Sequence, residues 1–297
     1  MLAVCIPVYN QDVSHLVKDL LLQISKLDTE VSIVVIDDHS SSHFQGQYDL
    51  FPEAVEVVRL PQNIGRAKIR NTFLEHTKAK YLLFLDCDSQ IINPDFLDLY
   101  LERISKDAPK LLFGASVYQL ERPNRAHRLR WKYGSFKESK GYSERLKNPS
   151  LSFKTNNFLI ERDTLAVNRF NEKITGYGHE DTLFGFQLEQ NEIAITHIDN
   201  PVLNAVIDTN RDFLNKTDEA LRNLFHIWEL TDFNLKLLAR IRILRIYQRW
   251  HRVPLVGLLF RAFLRPTRFL LRNGLTNLVL FDLYKLSFML SMKNEAN

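Results

Sequence analysis

A chain of 297 residues with 45% hydrophobic and 25% charged residues has the composition of a folded globular protein, which excludes general disorder. Its two cysteines, Cys5 and Cys87, stand in apolar strand-like runs, which argues against a disulfide framework or a zinc knuckle and for a reducing compartment. The net charge of +4 is unevenly placed: Lys236 to Arg272 holds ten basic residues and no acid, leaving the remainder at −6.

Met1 leads directly into the apolar run Leu2 to Ile6, so no secretory signal is expected, and no stretch stays uncharged for the ~18 residues of a membrane span. Leu2 to Val8 reads as a buried strand. Val13, Leu16, Val17, Leu20, Leu21, Ile24 and Leu27 recur at helical spacing. Val31 to Ile36 is continuous and β-branched, as in a parallel strand covered on both faces, and Val55 to Leu60 is another strand. Gly65 to Thr77 reads as a helix, Tyr81 to Leu85 as a strand, and Pro94 to Ile104 as a helix capped by Asn93. This order predicts an α/β fold with a largely parallel, doubly wound sheet and ligands at the carboxyl ends of its strands.

Three such ends carry polar residues: Pro7-Val8-Tyr9-Asn10, Asp37-Asp38-His39-Ser40 and Asp86-Cys87-Asp88. Alternate side chains of a strand share a face, so Asp86 and Asp88 are expected to converge on one hard cation, Mn²⁺ or Mg²⁺, while Cys87 points into the core. Oxygen-only ligands leave positions on such an ion for a diphosphate. Asp-x-Asp alone also describes a strand-to-turn junction with two solvated acids.

Leu111 to Tyr118 reads as a strand, and the basic, aromatic stretch Glu121 to Lys147 as a long insertion of little periodicity. Ser152 to Ile160 returns as a strand. Gly176-Tyr177-Gly178-His179-Glu180-Asp181 then precedes the helix-like Thr182 to Gln190, where acids suit the first turn.

Five pieces in order resemble the inverting family-two glycosyltransferases of GT-A fold. They are Ile6 to Asn10, Ile36 to Ser40, Asn63-Ile64-Gly65-Arg66-Ala67-Lys68-Ile69-Arg70-Asn71, Asp86 to Asp88 and Gly176 to Asp181, within roughly residues 1 to 210. The last resembles the element of galactosyl- and N-acetylgalactosaminyl-type transferases and chondroitin-type polymerases. The resemblance implies that Pro7, Tyr9, Asp37, Asp38, Asn63, Gly65, Arg66, Lys68 and Asp86 contact a nucleotide sugar, UDP-linked by preference. It implies that Asp86 and Asp88 hold the metal, that Asp181 is the general base and that Glu180 holds an acceptor hydroxyl or orients the base, the reverse assignment staying open.

Three departures stand out: His39 where relatives commonly carry glycine, Ile69 where alanine is usual, and Asn204 where a metal-binding histidine is expected. His197 is the candidate substitute ligand. Two other readings remain: a phosphohydrolase of haloacid-dehalogenase type, weakened by Gln90 where a threonine is usual, and a catalytically idle membrane-bound scaffold.

The expected organisation is a catalytic domain over 1–212, with donor-binding 1–118 and acceptor-binding 119–212, followed by a basic helical region over 213–297. In that region Arg242, Arg245, Arg249 and Arg252 form one helical stripe, and Arg261, Arg265, Arg268 and Arg272 another. Such helices suit an anionic membrane surface; no nucleic-acid motif accompanies them. The expected partners are a nucleotide-sugar donor and a saccharide or lipid-linked acceptor. The expected location is the cytoplasm, at the inner face of the membrane, in surface-polysaccharide or glycolipid assembly.

Overall fold

A computed structural model describes residues 1–292, the side chains of residues 254–256 excepted. The last five positions of the 213–297 region lie outside it. The chain divides into two units. The first comprises 1–119, 139–175 and 180–206, and the second 120–138, 176–179 and 207 onward.

The first unit contains ten strands: β1 (Leu2–Val8), β2 (Val31–Asp37), β3 (Val55–Arg59), β4 (Tyr81–Leu85), β5 (Ser89–Ile91), β6 (Leu111–Phe113), β7 (Ser116–Val117), β8 (Asn157–Glu161), β9 (Thr196–His197) and β10 (Val202–Asn204). Seven form one sheet in the order β3-β2-β1-β4-β8-β6-β9. Strands β1 to β4 run parallel, and β8 is inserted antiparallel between β4 and β6. A second, small sheet has the order β5-β10-β7.

Alternation along the parallel strands fills two cores at once. Val4, Ile6, Val35 and Leu83 face one side, where helices α1 (Ser14–Ile24) and α3 (Phe96–Asp107) contribute Leu16, Leu20, Phe96 and Tyr100. Cys5, Ile36, Leu82 and Phe84 face the other, where α2 (Arg66–His76) and α4 (Glu180–Gln190) contribute Ile69, Phe73, Phe184 and Leu188. Phe84 stacks on Phe158 with ring centroids 4.9 Å apart; removing such a buried ring costs about 3–5 kcal/mol.

The expected strand from Leu111 to Tyr118 is two strands in different sheets, broken at Gly114-Ala115, where Ala115 adopts φ +71°. Only glycine fits at 114: a Cβ there would lie 2.3 Å from the Tyr100 hydroxyl and 2.7 Å from the Asn200 carbonyl. The expected strand from Ser152 begins only at Asn157, because Pro149–Ser152 is a short helical turn. The stretch Glu121 to Lys147 is largely helical, including Arg128–Tyr133 and Tyr142–Arg145, each too short to show a period in the sequence.

The second unit is helical. Helix α5 (Asn210–Leu230) starts at Thr209, whose Oγ1 accepts the Asp212 N–H, and buries Leu221, Leu224 and Trp228 against α6 (Arg242–Trp250) and α8 (Leu278–Met292). Helix α7 (Pro254–Arg272) completes the unit. Gly176–His179 belongs to this unit too: the Asn223 amide donates to the carbonyls of Gly176 and Gly178, and the Tyr177 N–H donates to Glu219. Arg268 leaves the exposed stripe expected of it and bonds Asp218, Tyr284 and Asn215 within the unit. No helix among the described residues is long and apolar enough to cross a membrane.

Candidate active site

The carboxyl ends of β1, β2 and β4 open on one edge of the first unit. The Asp38 N–H donates to Val8 O (2.8 Å) and the Leu60 N–H to Asp37 O (2.9 Å), so the loops leave the sheet already tied together. The Asn10 N–H donates to Ser40 Oγ (2.8 Å) and the Ser41 N–H to Asn10 Oδ1 (2.9 Å). His39 adopts φ +65°, the left-handed conformation that glycine takes without strain. This accounts for the departure at that position, since histidine is among the side chains that tolerate it. Tyr9 presents an exposed ring at this edge.

Asp37 and Asp38 are both buried. Asp37 Oδ1 accepts the Ser40 N–H at 2.9 Å. Asp38 accepts the Ile64 N–H on Oδ1 (2.6 Å) and the Gly65 N–H on Oδ2 (3.0 Å), and its carbonyl accepts from the Asn63 amide (3.2 Å). Burial raises its pKa against the lowering effect of those two amides. Both expected as donor contacts, Asp38 ties down the loop before α2 and Asp37 the turn after β2. Gly65 takes φ +83° as that helix begins.

On α2, Arg66 and Arg70 share a face at i, i+4, and the exposed Lys68 stands two residues off it. Arg70 is only 2% exposed. Its Nη2 donates to Asp86 Oδ1 at 3.0 Å, and its Nη1 lies 3.6 Å from Glu180 Oε1. Arg66 Nη1 lies 3.9 Å from the same Glu180 oxygen. One buried guanidinium therefore joins the acid after β4 to the first residue of α4. A buried cation needs such paired partners to offset its desolvation.

The strand ends at Leu85, and Asp86 to Ser89 is a tight turn closed by the Ser89 N–H on Asp86 O (3.0 Å). Strand alternation is thus not what gathers Asp86 and Asp88; the turn and Arg70 set their placement. Cys87 packs against the core, and burial, then Asp88 and Asp86, push its thiol up to about 12.

Asn204 pairs with Ser89 across the small sheet, one residue from Asp88, and the Ala205 N–H donates to Asp88 O (3.1 Å). The amides of Asn204 and Asn156 both donate to Ser116 Oγ, at 3.1 and 2.7 Å. Asn156 Oδ1 is buried with no hydrogen-bond partner among the described residues, and its main-chain oxygen accepts the Asp86 N–H. No third His, Cys, Asp or Glu completes a cage among the described residues. Two carboxylates with carboxamides beside them fit a hard ion that completes its shell with phosphate and water.

His197 does not join this group. Its Nδ1 accepts from Arg145 (3.0 Å) and its Nε2 donates to Pro149 O (3.1 Å), so both ring nitrogens are engaged. Burial, against the raising effect of the Pro149 bond and with Arg145 acting in the same sense as burial, lowers its pKa to about 4. Its role is structural, and Asn204 holds the position beside the acids.

Asp181 is 15% exposed; its Oδ2 lies 2.8 Å from Lys154 Nζ, and its Oδ1 accepts the Thr182 N–H (2.6 Å). Glu180 is the more buried of the two acids. Arg70, Lys154, Asn156 and Ser116 received no role from the sequence. For Arg70 the signal was present: an arginine in register with the buried face of α2, beside Ala67, Ile69 and Phe73.

Residues 3–165 match the model of Glycosyl transferase family 2. The chain belongs to that family. Membership sets aside the haloacid-dehalogenase reading. A Staphylococcus aureus (strain N315) relative, poly(ribitol-phosphate) beta-N-acetylglucosaminyltransferase TarP, is 30% identical over 103 residues, 33% of this chain and 31% of the relative. The match thus spans about a third of that relative's length. Among solved structures, S. aureus TarS 1–349 aligns over 99% of this chain and 91% of its own, with TM-score 0.54 and 16% identity. The mannosyltransferase PcManGT from Pyrobaculum calidifontis, in complex with GDP-Man and Mn²⁺, aligns over 98% and 87%, with TM-score 0.59 and 14% identity. These likenesses establish the GT-A fold for this member of the family.

Proposed function

We propose that this chain transfers a sugar, with inversion, from a nucleoside diphosphate donor to a hydroxyl of a saccharide or lipid-linked saccharide. The observation that carries the reading is Arg70, which holds Asp86 and Glu180 within reach of one guanidinium. UDP is favoured as the donor nucleotide because TarS 1–349 forms a complex with UDP and the TarP relative is an N-acetylglucosaminyltransferase. The poly(ribitol-phosphate) that TarP acts on favours a role in surface-polymer assembly; we place that role, or the related assembly of a glycolipid, at the cytoplasmic face of a membrane.

In this reading Tyr9 offers its exposed ring as a stacking surface for the base, while Asp38 and Asn63 keep the loop before α2 in shape. Asp86 and Asp88, with the Asn204 carboxamide, would hold Mn²⁺ or Mg²⁺. Bound there, the ion supplies Lewis-acid stabilisation of the departing diphosphate. Arg66, half-exposed at the start of α2, adds positive charge where phosphate also meets the helix N-terminus. Arg70 neutralises Asp86 and Glu180 and fixes both. Asp181 takes the proton of the attacking hydroxyl, and Glu180 stays pinned to Arg70 as its positioning neighbour.

Thermal-shift titration with UDP, GDP and CDP, with and without Mn²⁺, tests this. A UDP-selective, Mn²⁺-dependent rise in Tm is expected. Absence of any nucleoside-diphosphate effect in Mn²⁺ would instead favour the idle scaffold.

A further inference from the structure

Helix α7 carries apolar side chains both on its inward side and over a broad exposed sector. Phe260, Leu264, Thr267 and Leu271 recur at i, i+4, i+7 and i+11 and turn inward, with Phe260 and Leu264 packed on the apolar cores of the second unit. At roughly 100° per residue, Leu258 and Phe269 lie opposite that side, and Leu259, Leu270 and Phe263 continue the apolar sector round one flank of the helix. All five are exposed, Leu258 and Phe269 at 66% and Phe263 at 54%. Arg261, Arg265 and Arg272 form an exposed row along one border of this sector.

Scattered single apolar residues on a surface are ordinary, but a contiguous helical face of them marks a contact surface. From this face we infer that α7 is the membrane-docking element of the protein, lying flat in the interface of an anionic phospholipid bilayer. The inference deepens the membrane part of the function proposed above and needs none of its chemistry.

Two physical points choose lipid over a second copy of this chain. An isologous dimer with antiparallel copies of α7 would set the arginine row against itself, and residues 236–272 contain no acid to neutralise it in any arrangement. An anionic bilayer supplies both complements, hydrocarbon for the leucines and phenylalanines and phosphate for the guanidinium row. The helix cannot cross the bilayer instead, because none of the described helices has the required length and apolarity. Arg242, Arg245 and Arg249, exposed on α6, add to the basic field.

Flotation of the whole protein with vesicles decides this. Vesicles of equal phosphatidylglycerol and phosphatidylcholine are expected to capture it at low salt, and pure phosphatidylcholine vesicles at least about tenfold less well. Raising salt to 0.5 M should weaken capture, as screening requires. The doubles Leu258→Glu with Phe269→Glu, and Arg265→Glu with Arg272→Glu, should each lower capture by roughly tenfold or more while leaving the nucleotide-dependent Tm shift intact. Failure of the wild-type protein to float with anionic vesicles, or capture unchanged by lipid charge and salt, would overturn the inference. So would a wild-type dimer in light scattering that the Leu258/Phe269 double converts to monomer. Nucleotide binding is read separately, so a failure here and a failure of the transferase reading give different results.

Discussion

Arg70 and Asp86 form a 3.0 Å ion pair whose cation is almost entirely shielded from water, and the same guanidinium reaches Glu180 at 3.6 Å. A buried arginine between two carboxylates is a fixed point: it holds the turn after β4 and the start of α4 in register although 94 positions separate the two acids. Removing it would leave buried negative charge without compensation. Arg70→Ala is therefore expected to destabilise the protein by about 3–5 kcal/mol, read as a lowered denaturation midpoint. Arg70→Lys keeps the charge but loses the planar fork; it should fold and show weakened Mn²⁺-dependent nucleotide binding. Full nucleotide affinity in a folded Arg70→Lys protein would remove Arg70 from the site.

The acids of α4 should separate by phenotype. Asp181→Asn deletes the proposed base, so turnover should fall by ~10² to 10⁴-fold with nucleotide affinity unchanged. Glu180→Gln removes a charge held by Arg70 and Arg66 and should lower both nucleotide affinity and stability. Single-turnover transfer beside a thermal-shift titration reads both, and an active Asp181→Asn enzyme would reassign the base.

Asp38 gives a test of loop shaping against direct donor contact. Its two oxygens take the Ile64 and Gly65 amides, so Asp38→Ala would strand both N–H groups, at about 1–3 kcal/mol each where buried. Asp38→Asn keeps one acceptor and turns an amide N–H toward a backbone N–H. Both variants are expected to lose stability in the absence of any nucleotide. A variant with wild-type Tm but weakened UDP binding would make Asp38 a base contact and nothing more.

The sheet was legible because its strands are continuous apolar runs whose alternation fills two cores, a pattern that survives without any knowledge of partners. Local backbone was less so. Asp86-Cys87-Asp88 followed a strand and was read as its continuation, but the Ser89 N–H closes a turn on Asp86, a bond the sequence does not display. Leu111 to Tyr118 kept its apolar character across Gly114, so the break there is visible only through the Tyr100, Asn157 and Asn200 atoms that crowd that glycine. Arg70 lies within the Asn63 to Asn71 piece, yet its charge argues for the surface, and only Asp86 and Glu180 arriving from other segments offset its burial. The sequence offers His197 as a substitute for the histidine that Asn204 replaces; the partner that occupies it, Arg145, is 52 positions away.

His197 also fixes a pH dependence. Burial holds the ring neutral, with its pKa lowered to about 4 from the ordinary 6.5, and Arg145 beside Nδ1 acts in the same direction. The unfolded chain therefore binds a proton on this residue at a higher pH than the folded chain does. Its contribution is fully present above pH 6.5 and declines as pH falls through that value, until both states are protonated below about 4. A shift of that size corresponds to up to about 3 kcal/mol lost across the window. Replacing the ring by His197→Gln removes the proton uptake, so the variant's stability should change less than that of the wild-type protein between pH 6.5 and 4, although it starts lower at pH 7. Urea denaturation at half-unit pH steps reads the difference. Parallel pH profiles for the two proteins would show that His197 is already free to protonate in the folded chain, contrary to its bonds to Arg145 and Pro149.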